Sequence, residues 1–149
     1  MQKSKKAFTM IELIFVIVIL GILAAVAIPR LAATRTDADI TKGRADIASI
    51  RSAIVTERQA RLITGDANFI EAGDGANQLD DGGLFGGVLT YPITDSVANG
   101  RWTNLTRPDV NSSTYNYQIN DVTTTFTYTR GDGTFDCVAN TDDCNALTD

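Results

Sequence analysis

From Leu13 to Ile28 the chain reads LIFVIVILGILAAVAI, sixteen residues without a charge, and back to Phe8 the apolar stretch reaches twenty-one with Glu12 as its one interruption. As an α-helix rising about 1.5 Å per residue it would be roughly 30 Å long, the thickness of a bilayer's hydrocarbon core. A helix apolar on every side must be buried in a core or in lipid, and a membrane span is the first reading. The rival is a cleaved secretory signal, for which Ala25, Ala27, Ala32 and Ala33 offer small-residue sites. The length of the run and the carboxylate at its start both favour the span. Lys3, Lys5 and Lys6 precede it. The positive-inside rule then sets the short N-terminus in the cytoplasm and everything beyond Pro29 outside.

Charge is zoned around this segment. The 149 residues carry 13 Lys+Arg against 18 Asp+Glu, a formal net charge of −5. By segment the charge is +3 over residues 1–7, −1 over 8–29, +3 over 30–61 and −10 over 62–149. An acidic head argues against nucleic acid as a partner, because phosphate backbones are bound by clustered Lys and Arg. The sequence has no His, which removes Ser-His and Cys-His nucleophiles, His-liganded zinc and imidazole proton shuttles. Carboxylate chemistry, oxygen-ligand metal binding or no chemistry at all remain. The length suits one domain with a modest core.

Glu12 is the most informative single residue. A carboxylate within the bilayer is costly unless it reaches the interface or finds a cation, so it marks function by default. The plainer reading is a hydrated glutamate among lipid headgroups. The run Lys5-Lys6-Ala7-Phe8-Thr9-Met10-Ile11-Glu12-Leu13-Ile14, followed after Phe15 by VIVILGILAAVAIPRL, resembles the N-terminal signal of type IV pilins and of type II secretion pseudopilins. The resemblance covers about residues 4–54. It implies a basic leader, residues 1–7, cut between Ala7 and Phe8 by a prepilin peptidase, after which the new amino group of Phe8 is methylated. This chain has Ala7 where the family usually has Gly. Gly21 and Pro29 match positions where such helices bend. An ammonium created at Phe8 within bilayer depth is as costly alone as Glu12 is alone, and each resolves the other. A Glu12–Phe8 pair between neighbouring subunits then favours docking in register.

Pro29 removes a backbone donor, but the helical pattern continues past it. Ile40, Ile47, Ile50, Ile54 and Leu62 follow helical spacing, with Arg44, Arg51, Arg58 and Arg61 on other faces. One long helix from about residue 8 to 63 is expected, its arginines solvated or paired with acidic neighbouring subunits. Residues 65–100 hold eight of the twelve glycines. They read as flexible turns, with a short helix or strand near Phe69 or over Leu84–Tyr91. Tyr115, Tyr117 and Ile119, then Val122, Thr124, Phe126 and Tyr128, alternate as strands around an Asn120-Asp121 turn. Arg130-Gly-Asp-Gly133 turns again, Phe135 and Cys137 begin a further strand, and Arg101–Thr103 is a possible fourth. The expected fold class is α+β, a long N-terminal helix packed on a small antiparallel sheet, matching the pilin ladle. Its parts are a leader at 1–7, a transmembrane half at 8–29, an amphipathic half at 30–64 and a head at 65–149.

In the head, Cys137 and Cys144 are most simply a disulfide on the external side of a membrane; a metal pair with two soft ligands and no His is the weaker alternative. The resemblance implies the same, since many type IV pilins carry a C-terminal disulfide loop. Asp132, Asp136, Asp142 and Asp143 are weak calcium candidates without EF-hand spacing. Asn111 is a glycosylation candidate with Asp109 two residues before it, and Asn104 fits only the shorter sequon. The Arg130-Gly131-Asp132 triplet is explained by its turn. No cofactor and no enzymatic activity are expected.

The resemblance implies a structural subunit, anchored by a single pass in the bacterial inner membrane with its head in the periplasm. It would polymerise with itself and other pilin-like subunits into a surface pilus, secretion pseudopilus or competence pseudopilus, with a prepilin peptidase and an assembly-platform protein as partners. The retained Glu12 favours an ordinary filament position over the tip. The reading from another class is a bitopic inner-membrane protein whose head binds a ligand or works as a carboxylate hydrolase.

Overall fold

The computed structural model describes residues 8–138 and 142–148. The leader residues Lys3, Lys5, Lys6 and Ala7 lie outside them. Helix α1 spans Met10–Thr64, followed by β1 (Trp102–Asp109), β2 (Ser112–Ile119), β3 (Val122–Thr129), β4 (Thr134–Cys137) and α2 (Asp142–Thr148). The chain divides after Arg35 into two compact units.

In the N-terminal unit α1 runs on through Gly21 and Pro29. Thr9 caps it: the Glu12 N–H donates to Thr9 Oγ1 at 3.3 Å, and the Leu13 N–H to the Thr9 carbonyl at 3.2 Å. A threonine at the cap with glutamate three residues on is the sequence form of a capping box, and it satisfies donors that a helix start leaves open.

In the C-terminal unit the four strands form an antiparallel meander in the order β1-β2-β3-β4. The β2–β3 hairpin closes on Asn120 and Asp121, both at positive φ (48° and 63°), with Ile119 opposite Val122. Asn and Asp tolerate that left-handed conformation, and a two-residue turn of this hand matches strand twist. Alternation follows: Tyr115, Tyr117 and Ile119 of β2 and Phe126 and Tyr128 of β3 are buried, with Trp102 and Phe135 from the outer strands. Against this face lie Ile47, Ile50 and Ile54 of α1, spaced three and four apart. The rings interlock: Phe126 stacks on Phe135 with centroids 5.4 Å apart, and Phe85 meets Trp102 edge-on at 6.1 Å. Leu62, expected in the stripe, is half exposed.

The arginines expected on solvated faces instead fasten α1 to the head. Arg44 Nε donates to the Ala146 carbonyl. Arg51 Nε donates to the Phe135 carbonyl at 3.0 Å, and its Nη2 pairs with Asp136 at 2.8 Å. Arg61 pairs with Glu57 and Asp66 and donates to the Asn77 carbonyl.

The segment between α1 and β1 forms compact turns with two isolated bridges, Glu71 to Gln78 and Leu84 to Ile93, in place of a helix or strand of its own. It is fastened to the core rather than loosely turned: Phe69, Ile70, Ala72, Leu79, Leu84 and Phe85 are all buried. Its glycines permit the close passage of backbone. A Cβ on Gly87 would collide with the Gln78 carbonyl oxygen, whose neighbour Leu79 accepts the Gly87 N–H at 3.0 Å. The second helix, absent from the sequence expectation, buries Cys144 and Leu147.

Candidate functional site

Two regions hold the residues singled out by the sequence, and each is described within its own unit. In the N-terminal unit Phe8 precedes the helix, and Glu12 sits in the first turn of α1, exposed. A carboxylate there meets the positive end of the helix dipole, which stabilises it. Behind it every large apolar side chain faces outward: Phe15 is 65% and Leu31 70% exposed, with Ile11, Leu13, Ile17, Leu20, Leu23, Val26 and Ile28 alike uncovered. Contiguous apolar surface of this extent marks a lipid or protein contact, and the helix is long and apolar enough to cross a membrane. Around Gly21 a Cβ would meet nothing within 4 Å of the chain itself. Of the cleavage pair, Phe8 is described and Ala7 is not.

In the C-terminal unit Cys137 and Cys144 are joined by a disulfide, with Cα atoms 6.1 Å apart. The acidic candidates for calcium are engaged separately. Asp132 Oδ1 accepts from the Thr134 hydroxyl at 2.7 Å and its N–H at 3.1 Å, which hold the carboxyl below its usual range. Asp136 pairs with Arg51, and Asp142 and Asp143 occupy the first turn of α2. Among the described residues no group of three or more His, Cys, Asp or Glu is arranged to hold a metal ion. Asn111 is exposed at the β1–β2 turn, whereas Asn104 Nδ2 donates to Asp80 Oδ2 at 2.9 Å inside the head.

Asp80 is the residue the sequence did not single out. It is 1% exposed, and its Oδ1 accepts from the Phe85 N–H at 2.9 Å. Its Oδ2 accepts from Asn104 Nδ2 and from the Tyr115 hydroxyl at 2.8 Å. This carboxylate ties the glycine-rich segment to two strands. Its one sequence signal is its place between Leu79 and the Leu84-Phe85 pair. Two further phenols are locked: Tyr117 donates to the Asp39 carbonyl at 2.6 Å and Tyr128 to the Ile70 carbonyl at 2.7 Å. Burial raises both, Tyr128 to about 12 and Tyr117 further. These groups hold the fold.

The family model for the prokaryotic N-terminal methylation motif matches residues 2–28. A type II secretion system core protein G from Klebsiella michiganensis is 40% identical over 53 residues, which are 36% of this chain and 37% of that protein. A protein of the same name from Dickeya chrysanthemi is 38% identical over 52 residues, 35% of this chain and 34% of its own. The alignments thus span about a third of the length of these curated relatives. No solved structure matches. The shared segment is the one built around Phe8, Glu12 and the exposed apolar helix; over that segment the chain is similar to these pseudopilins, and the methylation motif together with the α+β architecture behind it supports the type IV pilin and type II secretion pseudopilin family.

Proposed function

We propose that the chain is a structural filament subunit: a prepilin cut between Ala7 and Phe8, methylated on Phe8, and polymerised through the first half of α1. The observation that carries this reading is the uncovered apolar surface of α1 with Glu12 four residues beyond Phe8. Burying one large apolar side chain is worth about 1.5–3 kcal/mol, so a dozen such groups supply roughly 20–35 kcal/mol. A charge at the centre of a membrane helix costs only about 2.5–3.5 kcal/mol on insertion scales. Lipid insertion therefore wins despite Glu12, and the residual penalty is relieved when Glu12 meets the amino group of Phe8 on a neighbouring copy. Before assembly the subunit spans the inner membrane once, N-terminus inside and head in the periplasm. Self-association, other pilin-like subunits, a prepilin peptidase and an assembly-platform protein complete the set of partners. The names of the two relatives favour a secretion pseudopilus over a motility or competence filament.

Glu12→Val tests the pairing. Membrane insertion is expected to persist, because the substitution makes the span more apolar, while incorporation into filaments falls about tenfold or more, the effect of losing roughly 1.4 kcal/mol of docking energy. Filament incorporation at the wild-type level sinks the pairing mechanism.

A further inference from the structure

Of the four arginines between Arg44 and Arg61 of α1, three are engaged by polar groups and Arg58 is held differently. Arg44, Arg51 and Arg61 each reach a carbonyl or carboxylate. Arg58 lies with its guanidinium carbon 4.1 Å from the centroid of the Phe69 ring, and its Nε–H, closed off from solvent, meets no acceptor. The acids nearby in sequence and space are already committed. Glu57 is taken by Arg61, Asp66 by Arg61 and by Asn68, and Glu71 by Arg130 at 3.1 Å. Arg58 and Phe69 form one wall of a cavity of about 200 Å³ whose other lining includes Asn68, Asn111 and Arg130. Arg130 is itself held in place, Nε donating to the Phe69 carbonyl at 3.2 Å.

In a head that is otherwise strongly acidic, a cation without an acidic partner, held over an aromatic ring beside a polar cavity, is a preorganised anion receptor. Stacking has already restricted the side chain, so little freedom is lost when its fork is engaged. The guanidinium fork matches a planar two-oxygen anion, and the amide side chains add neutral hydrogen-bonding groups around it. We infer that the cavity between Arg58, Phe69 and Arg130 is a carboxylate-binding site, with Arg58 as the recognising group. The carboxylate comes either from a small solute or from an acidic side chain of a second copy of this chain. The inference stands on the head alone and does not depend on the filament reading.

The test follows the Nε–H resonances of Arg58 and Arg130 in the full-length, detergent-solubilised chain during titration with acetate at constant ionic strength, with chloride as the control. A saturable shift of Arg58 with acetate and none with chloride is expected. Arg58→Lys keeps the charge and removes the fork, and it is expected to weaken acetate binding about tenfold while leaving the Arg130 resonance and the backbone spectrum in place. A dilution series without added acetate separates the sources: a concentration-dependent Arg58 shift assigns the carboxylate to a second copy, and a constant one assigns it to a solute. Equal shifts with chloride, tighter binding of inorganic phosphate than of acetate, or unchanged affinity in Arg58→Lys overturns the proposal.

Discussion

Asp80 shows how much of the head depends on single buried polar atoms. Its two oxygens accept from Phe85, Asn104 and Tyr115, and removing a buried acceptor costs about 1–3 kcal/mol for each donor left unmet. Asp80→Ala is therefore expected to destabilise the head by about 3 kcal/mol, a fall of roughly 15 °C in melting midpoint for a domain of this size. Near-UV circular dichroism of buried Trp102 reports it; an unchanged melt means the network carries no stability. The buried phenols set a pH limit. Tyr128 is raised to about 12 and Tyr117 also lies above the ordinary tyrosine value of 10.0. The unfolded chain gives up these protons first, so their contribution is intact below pH 10 and is lost as pH climbs toward 12. Alkaline titration followed at once by phenolate absorbance and by Trp102 dichroism is expected to show ionisation and loss of structure together in that window. Asp80 could not be told from exposed Asp81 by sequence, because the two stand side by side in a run of glycines and acids. Which of them turns inward is decided by Asn104 and Tyr115, strand residues distant in the chain.

At the scale of elements, the α1 stripe and the β2–β3 hairpin were legible because local periodicity and turn chemistry alone specify them. Ile47, Ile50 and Ile54 keep helical spacing, and Asn120-Asp121 accept positive φ. What was hidden depended on distant partners. The stripe stops short of Leu62 because Arg58 and Arg61 take over there, reaching Phe69, Asp66 and Asn77 of the following segment. Strand β1 extends well beyond Arg101–Thr103, but its register shifts near Thr106 and its Pro108 obscure the alternation. The seven residues of α2 are too few to show a period. Its docking depends on Gly43, where a Cβ would stand 2.6 Å from Leu147 Cδ2 and 2.7 Å from Tyr117 Cε1. Alanine gains about 1 kcal/mol in helix propensity over glycine, while forcing a methyl into a filled contact costs about 1–3 kcal/mol. Because the Tyr117 hydroxyl is anchored on the Asp39 carbonyl, Leu147 must give way. Gly43→Ala is expected to be net destabilising by about 1 kcal/mol and to raise amide exchange across α2; slower exchange there contradicts this packing.

Over the whole molecule, the uneven charge separates two tasks. The N-terminal unit presents apolar surface with one acid near its start, and the C-terminal unit closes its own aromatic core. Of the six arginines on the amphipathic half of α1, Arg44, Arg51 and Arg61 are used within the chain. The family signal was legible because it is a contiguous motif, whereas recognition surfaces on the head are assembled from distant segments. A filament subunit of this kind is defined by how its mature chain begins. Mass spectrometry of the protein recovered from cells with an active prepilin peptidase measures this directly. A chain starting at N-methylated Phe8 is the expected result; an intact Met1, or a cut near Ala25 or Ala27, contradicts it.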